Sequence, residues 1–315
     1  MKILVTGASG FVGSNLIEYL NDKECYGVVA LIRSSRNLHS GLNVEYRYFD
    51  LDDQNISQMD LSDIDVIVHC AGRAHVMKDL AKDPLAEFRA VNVESTLNLA
   101  RQAAEAGVKR FIFLSTIKVL GENTVLGKPF TNDDKLEPQD PYSVSKAEAE
   151  IGLQEIGSNS SMDIVIIRPP LVYGKGVKGN FSSLLKLVTL AIPLPLGAIE
   201  NRRSLVSVEN LVDLIVTCLD HPNAKNKSFL VSDDRDFSTP ELLSMIAKSG
   251  GHNPWIFRCP QILLLMFLQL LGKSSVCERL CGSMQVNIEE TKSQLSWNPP
   301  CKVENSLANC WLKVD

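Results

Sequence analysis

Short apolar runs alternate with helix-compatible stretches through the first half of the chain. Residues 2–6 (KILVT), 27–32 (GVVALI), 44–50 (VEYRYFD), 65–69 (DVIVH), 110–114 (RFIFL) and 163–168 (DIVIIR) have the length and β-branched content of buried strands. Helical patterns lie between them. The segment from Pro84 to Gly107 is rich in Ala, Glu, Leu and Arg, lacks internal Gly or Pro and stops at glycine, which predicts one long helix. Such alternation predicts an α/β fold, a doubly wound parallel sheet. Past residue 168 the alternation fades, and Gly174, Gly176, Gly179, Pro193, Pro195 and Gly197 crowd in, as in the wall of a pocket. The expected division is a first domain over 1–168, joined again by about 204–232, and a smaller, mixed C-terminal one over 169–203 and 233–315. The run ILLLMFLQLL (262–271) is apolar all round and too short to span a bilayer; it predicts a buried helix, with contact at a membrane surface as the alternative.

Composition narrows the partners. The 315 residues carry a net charge of −5 with both signs interleaved, which points to small molecules and away from nucleic acid. Only four apolar positions separate Lys2 from Gly7, so no signal peptide and a cytoplasmic location are expected. Eight cysteines form no C-x-x-C pair; Cys277 and Cys281 share a helix face without a third ligand, and neither disulfides nor a metal are expected.

The first strand runs into Gly7, Gly10, Phe11, Val12 and Gly13 and then into a helix. That order suits a dinucleotide, whose pyrophosphate meets the N–H groups at the helix start. The second strand ends at Arg33 and Arg36 with no carboxylate, which favours NADP over NAD; plain surface arginines are the other reading. Asp50 is placed to accept from an adenine amino group, or to cap, and Leu51 to pack on the ring. The fourth run leads into Ala71, Gly72 and Arg73, where a ribose could approach the backbone. His69 and His75 read as bases or, without partner acids, as structural or pocket-lining groups. Asn92 is either a holder of backbone or water near the site or a solvated amide. Ser115 and Thr116 stand at the carboxyl end of the fifth strand, where open parallel sheets put ligands. Tyr142 and Lys146 share one helix face. A phenol titrates near 10, and an ammonium about 4.5 Å away is worth on the order of 3.7 kcal/mol to its anion at a dielectric near 20, which predicts proton exchange near neutrality. Arg202 and Arg203 suit phosphate oxygens or simply the surface.

Gly7, Gly10 and Gly13, Thr116, Tyr142 with Lys146, and the later IRPPLVYG resemble the extended short-chain dehydrogenase/reductase family acting on nucleotide sugars, over nearly the whole chain. The resemblance implies a Rossmann sheet, Tyr142 as acid/base, Lys146 orienting it and the nicotinamide ribose, and Thr116 on the reacting oxygen. It implies further cofactor contacts at Ser115 and Pro169, contacts to a UDP-sugar diphosphate at Asn180 and Arg203, and Arg279 as candidate for a second arginine. A homodimer through the helices ending near Gly107 and starting at Tyr142 is also implied. The family's dehydratases follow the Thr with Asp-Glu; here Ile117 and Lys118 follow, so elimination is not expected. The preferred expectation is reduction of UDP-4-keto-6-deoxy-N-acetylglucosamine to UDP-N-acetylquinovosamine for bacterial surface polysaccharide. The alternative is a UDP-glucose or UDP-N-acetylglucosamine 4-epimerase, and a remote one a non-catalytic dinucleotide sensor.

Overall fold

The computed structural model describes residues 1–23, 25–33, 42–50, 59–74, 83–190, 192–260, 262–264, 266 and 280–312. Seven parallel strands form the main sheet: β1 (Lys2–Thr6), β2 (Gly27–Ile32), β3 (Glu45–Tyr48), β4 (Val66–His69), β5 (Arg110–Leu114), β6 (Asp163–Arg168) and β9 (Lys227–Leu230). Their order, β3-β2-β1-β4-β5-β6-β9, reverses direction of growth at β1. The clefts that bind ligands in such sheets lie at that switch, beyond the carboxyl ends of β1 and β4. Both faces are covered. One apolar cluster joins Ile3, Val5, Leu16, Ile17 and Val68 to Leu211 and Ile215; the other joins Leu4, Ile67, Leu99, Phe111 and Leu153. The six strands expected from the sequence are all present; five are buried on both faces and written as near-continuous apolar runs, while β3 (EYRY) lies at the sheet edge with no buried residue.

On the first of these faces lie α1 (Phe11–Asn21) and α6 (Val208–Cys218). The expected long helix is interrupted: α2 (Pro84–Arg89) passes through a π-helical turn (Ala90–Glu94) into α3 (Ser95–Glu105). α4 (Pro141–Ser158) packs beside it and carries Tyr142 and Lys146.

A three-stranded sheet, β10-β8-β7, is built from β7 (Leu171–Tyr173), β8 (Arg203–Ser207) and β10 (Asp236–Phe237). The stretch expected to rejoin the first domain, about 204–232, opens within β8 and continues through α6 and β9. This sheet encloses a third core with α5 (Gly179–Thr189) and α7 (Thr239–Ser249), around Tyr173, Phe181, Leu205, Phe237 and Leu243. Tyr173 ties it to the large sheet: its hydroxyl donates to Asp233 Oδ2 at 2.6 Å, while Asp233 Oδ1 accepts from the Ser207 amide and Asn210. Two short helices, α8 (Glu289–Leu295) and α9 (Val303–Asn309), follow.

The run at 262–271 departs from expectation where it is described. Leu264 is buried, but Ile262, Leu263 and Met266 are exposed. A helix apolar on every side always leaves one side over when it meets a single neighbour.

Candidate active site

The glycine loop comes first because backbone alone sets its shape. Gly7 has φ +64°, a left-handed conformation, and a Cβ there would lie 2.7 Å from the Ala71 amide nitrogen. A Cβ on Gly13 would lie 2.3 Å from the Gly7 carbonyl oxygen. Only glycine permits either approach. α1 therefore starts hard against β1, with no side-chain cap and no acidic residue in its first turn. Its amides and dipole face the loop free of a competing anion, so the cradle fits a dinucleotide pyrophosphate.

Opposite the loop stands the end of β4. Thr6 Oγ1 accepts from the Ala71 amide at 3.2 Å, and Asn92 clamps Arg73 by accepting its N–H at 2.8 Å and donating to its carbonyl at 3.1 Å. The third Asn92 bond goes to Ser145 Oγ at 2.9 Å, on α4. Asn92 is thus buried and fully engaged, and it lashes the Gly72–Arg73 backbone to the helix that carries Tyr142. The π turn aims it, since one extra residue per turn rotates the side chain off the regular helix face. The Arg73 guanidinium turns away, toward Glu87 at 3.5 Å and over the Phe88 ring.

α4 opens with a reciprocal cap. Asp140 accepts from the Ser143 amide at 2.6 Å while Ser143 Oγ accepts from the Asp140 amide at 3.1 Å. Pro141 at the first helical position completes the start signal. Tyr142 follows, its ring edge-on to Phe88 at 6.0 Å. Lys146 lies one turn on, buried, with Nζ 4.1 Å from the Phe113 ring centre and 3.6 Å from where a Gly72 Cβ would stand. It looks into the space beside Gly72. Desolvation lowers its pKa to about 8, opposed by Cys70 and Glu150.

Lys146 was expected to lower the Tyr142 pKa, and in the protein itself the balance runs the other way. Desolvation pushes the phenol above its ordinary value and the Asp140 carboxylate adds to the rise.

β5 delivers Ser115 and Thr116 to its carboxyl end. The Ser115 hydroxyl donates to Glu150, a buried carboxylate that also takes Arg168 Nη2 at 2.7 Å and Nε at 3.1 Å. Pro169 gives its carbonyl to the Ile117 amide at 2.9 Å. Thr116 caps a short turn (Ile117–Val119), its Oγ1 accepting from the Lys118 amide at 3.3 Å. Where a dehydratase would carry its acids, Ile117 is buried and Lys118 Nζ binds Asp140 and Glu122, each at 2.8 Å. Burial alone would lower the Lys118 pKa, but those two carboxylates outweigh it and hold it raised. Lys118 is a strut between the Thr116 turn and the cap of the Tyr142 helix.

His69 is buried between Thr6 and Thr96, at 2.9 and 3.0 Å from their hydroxyls, and desolvation lowers its pKa to about 3. It is a neutral structural group. Arg33 and Asp50 are exposed at the ends of β2 and β3. Arg203, at the start of β8, is largely enclosed and donates to the Gly282 carbonyl at 3.1 Å; burial lowers its pKa, with Glu122 opposing. Asn180 lies in the first turn of α5, half-buried. Arg36, Leu51, His75 and Arg279 lie outside the described residues. Sequence reasoning missed Glu150 and Arg168, although a Glu four residues after Lys146 and an arginine closing an apolar strand were both readable.

Glycine loop, bare helix start and a Tyr–Lys pair at the ends of parallel strands define a dinucleotide-dependent enzyme of oxidation and reduction. The NAD dependent epimerase/dehydratase family matches residues 3–232. The chain belongs to that family and is an NAD-dependent enzyme. It is 49% identical to the UDP-glucose 4-epimerase of Vibrio cholerae over 303 residues, 95% of this chain and 91% of that one. It is 28% identical over 253 residues, 79% of this chain and 72% of the other, to the N-acetyl-alpha-D-glucosaminyl-diphospho-ditrans,octacis-undecaprenol 4-epimerase of Escherichia coli O157:H7. The fold is that of the UDP-glucose 4-epimerase of Thermotoga maritima solved with UDP-glucose, at TM-score 0.79, 22% identity and coverage of 98% and 97%.

Proposed function

We propose that the protein is a nucleotide-sugar 4-epimerase that works on a UDP-hexose or UDP-N-acetylhexosamine with retained NAD. The carrying observation is that, among the described residues, the Thr116 turn offers no free acid/base of its own, since Ile117 is apolar and Lys118 is tied to Asp140 and Glu122. Such a site exchanges a single alcohol for a ketone and lacks the acid and base that elimination needs. The 49% identity to a UDP-glucose 4-epimerase supports epimerisation above the 4-keto reduction preferred from the sequence.

In this reading Gly7, Gly10, Phe11, Val12 and Gly13 hold the pyrophosphate, Asp50 the adenine end, and Ala71 and Gly72 the ribose side. Lys146 sits by the ribose and holds positive charge beside it. A nicotinamide held between the Gly7–Gly13 loop and Lys146 would supply the hydride acceptor and donor for sugar C4. Thr116 holds the sugar O4 by hydrogen bonding, and Tyr142 exchanges the O4 proton once positive charge at Lys146 and on a bound dinucleotide offsets the burial that raises the phenol, giving it back after the keto sugar has turned its other face. Asn180 and Arg203 take the diphosphate.

The test is incubation of the purified enzyme with UDP-galactose and, separately, UDP-N-acetylgalactosamine, followed by NMR of the sugar ring. The expected result is conversion to the C4 epimer with no net change in nicotinamide absorbance. No epimer from either sugar, together with stoichiometric oxidation of NADPH by a UDP-4-keto-6-deoxy sugar, would establish the reductase instead.

A further inference from the structure

Among the described residues, seven of the thirteen large apolar side chains that are exposed belong to 190–192 and 255–266. Trp255, Phe257, Leu190, Ile192, Ile262 and Leu263 are between 41% and 70% exposed. Backbone bonds join the segments that carry them. The Leu194 amide donates to the Trp255 carbonyl at 2.8 Å, the Phe257 amide to the Leu194 carbonyl at 3.0 Å, and the Gly197 amide to the Phe257 carbonyl at 2.9 Å. Leu194, Leu196 and Leu264 lie in the core behind them. The result is an apolar surface on a packed base.

Its charge is one-sided. In a chain of net charge −5, residues 164–199 and 242–277 contain no Asp or Glu. Lys178, Lys186, Lys248 and Arg258 are exposed there, and among the described residues none of them has a carboxylate partner. Among the described residues, twelve other lysines and arginines are paired with carboxylates, from Lys2 with Glu45 and Asp63 to Lys292 with Asp234 and Glu289. Exposed aromatic and aliphatic side chains on segments whose exposed cations lack carboxylate partners match the boundary of an anionic bilayer, where rings sit at headgroup depth and cations meet acidic lipid. A second copy of the chain fits less well, since a two-fold contact through this face would bring like charges together.

We propose that this face, built from 190–197 and 255–266, docks the enzyme reversibly on anionic phospholipid membranes. The inference stands apart from the choice of sugar and does not rest on the epimerase reading.

Flotation of the full chain with vesicles of phosphatidylcholine alone, or mixed with phosphatidylglycerol, tests it. The expected result is capture by the anionic vesicles at least about tenfold above the neutral ones, with release as salt shortens the screening length. A Trp255→Ser/Phe257→Ser variant should lose that capture. A Lys186→Glu/Arg258→Glu variant, which leaves the apolar side chains intact, should lose it too, while both keep their activity in solution. Equal capture by neutral vesicles, no capture, or light scattering in which the same substitutions dissolve a dimer would overturn the proposal.

Discussion

Lys146 is a cation that the fold makes expensive. Desolvation lowers its pKa to about 8, so the ammonium is lost as pH rises through that value, and with it the positive charge beside Gly72. Dinucleotide affinity, followed by nicotinamide fluorescence, should fall on the alkaline side of about 8, and a Lys146→Met variant should bind weakly with no such limb. Behind it, Glu150 and Arg168 form a two-pronged pair with side chains 1% and 6% exposed. Removing one partner strands the other charge, so Glu150→Ala should cost about 3–5 kcal/mol in urea unfolding. Replacing both, as Glu150→Met with Arg168→Leu, should recover most of that, because two apolar side chains of similar volume leave no charge to solvate. If the double replacement were no better than the single one, the pair would hold more than each other.

The strands were legible because each is an apolar run closed by a turn, and the glycine loop because its spacing permits nothing but a tight strand-to-helix turn. The Tyr142 helix was legible from Asp140, Pro141 and the four-residue interval to Lys146. The π turn was not, since an inserted backbone residue leaves no mark in the propensities of AVNVE. Yet it decides what Asn92 does. Asn92→Ala should cost about 1–3 kcal/mol in thermal unfolding, by freeing the Arg73 backbone and Ser145 at once; a loss below half that range would mean water replaces the amide. The Ser115–Glu150 bond was illegible for a related reason: the two lie 35 residues apart in sequence, and no local pattern reports a contact of that kind. The exposed side of 262–266 escaped because a run with no polar face carries no directional signal.

Taken whole, the molecule keeps a histidine uncharged at the centre of its sheet, and this sets an acid limit. His69 titrates at about 3 in the folded protein and near its ordinary 6.5 unfolded. Between those values the unfolded chain binds a proton that the native one does not, so stability rises with pH across the window and is lost as pH falls through it. From pH 7 to 5 the loss should be about 2 kcal/mol. His69→Leu should be less stable at pH 7 but should lack that share of the acid slope; an unchanged slope would assign it to other groups. The Tyr173–Asp233 bond ties the small sheet to the large one, and the Lys118 strut ties the Thr116 turn to the cap of α4. The strut also constrains descent. A duplicated gene drifting toward elimination chemistry would need an acid at position 118, and its first step would gather three carboxylates at 118, 122 and 140 while unfastening the helix of the proton-transfer tyrosine. The path to a new reaction from this ancestor passes through a crippled enzyme unless Asp140 or Glu122 changes beforehand.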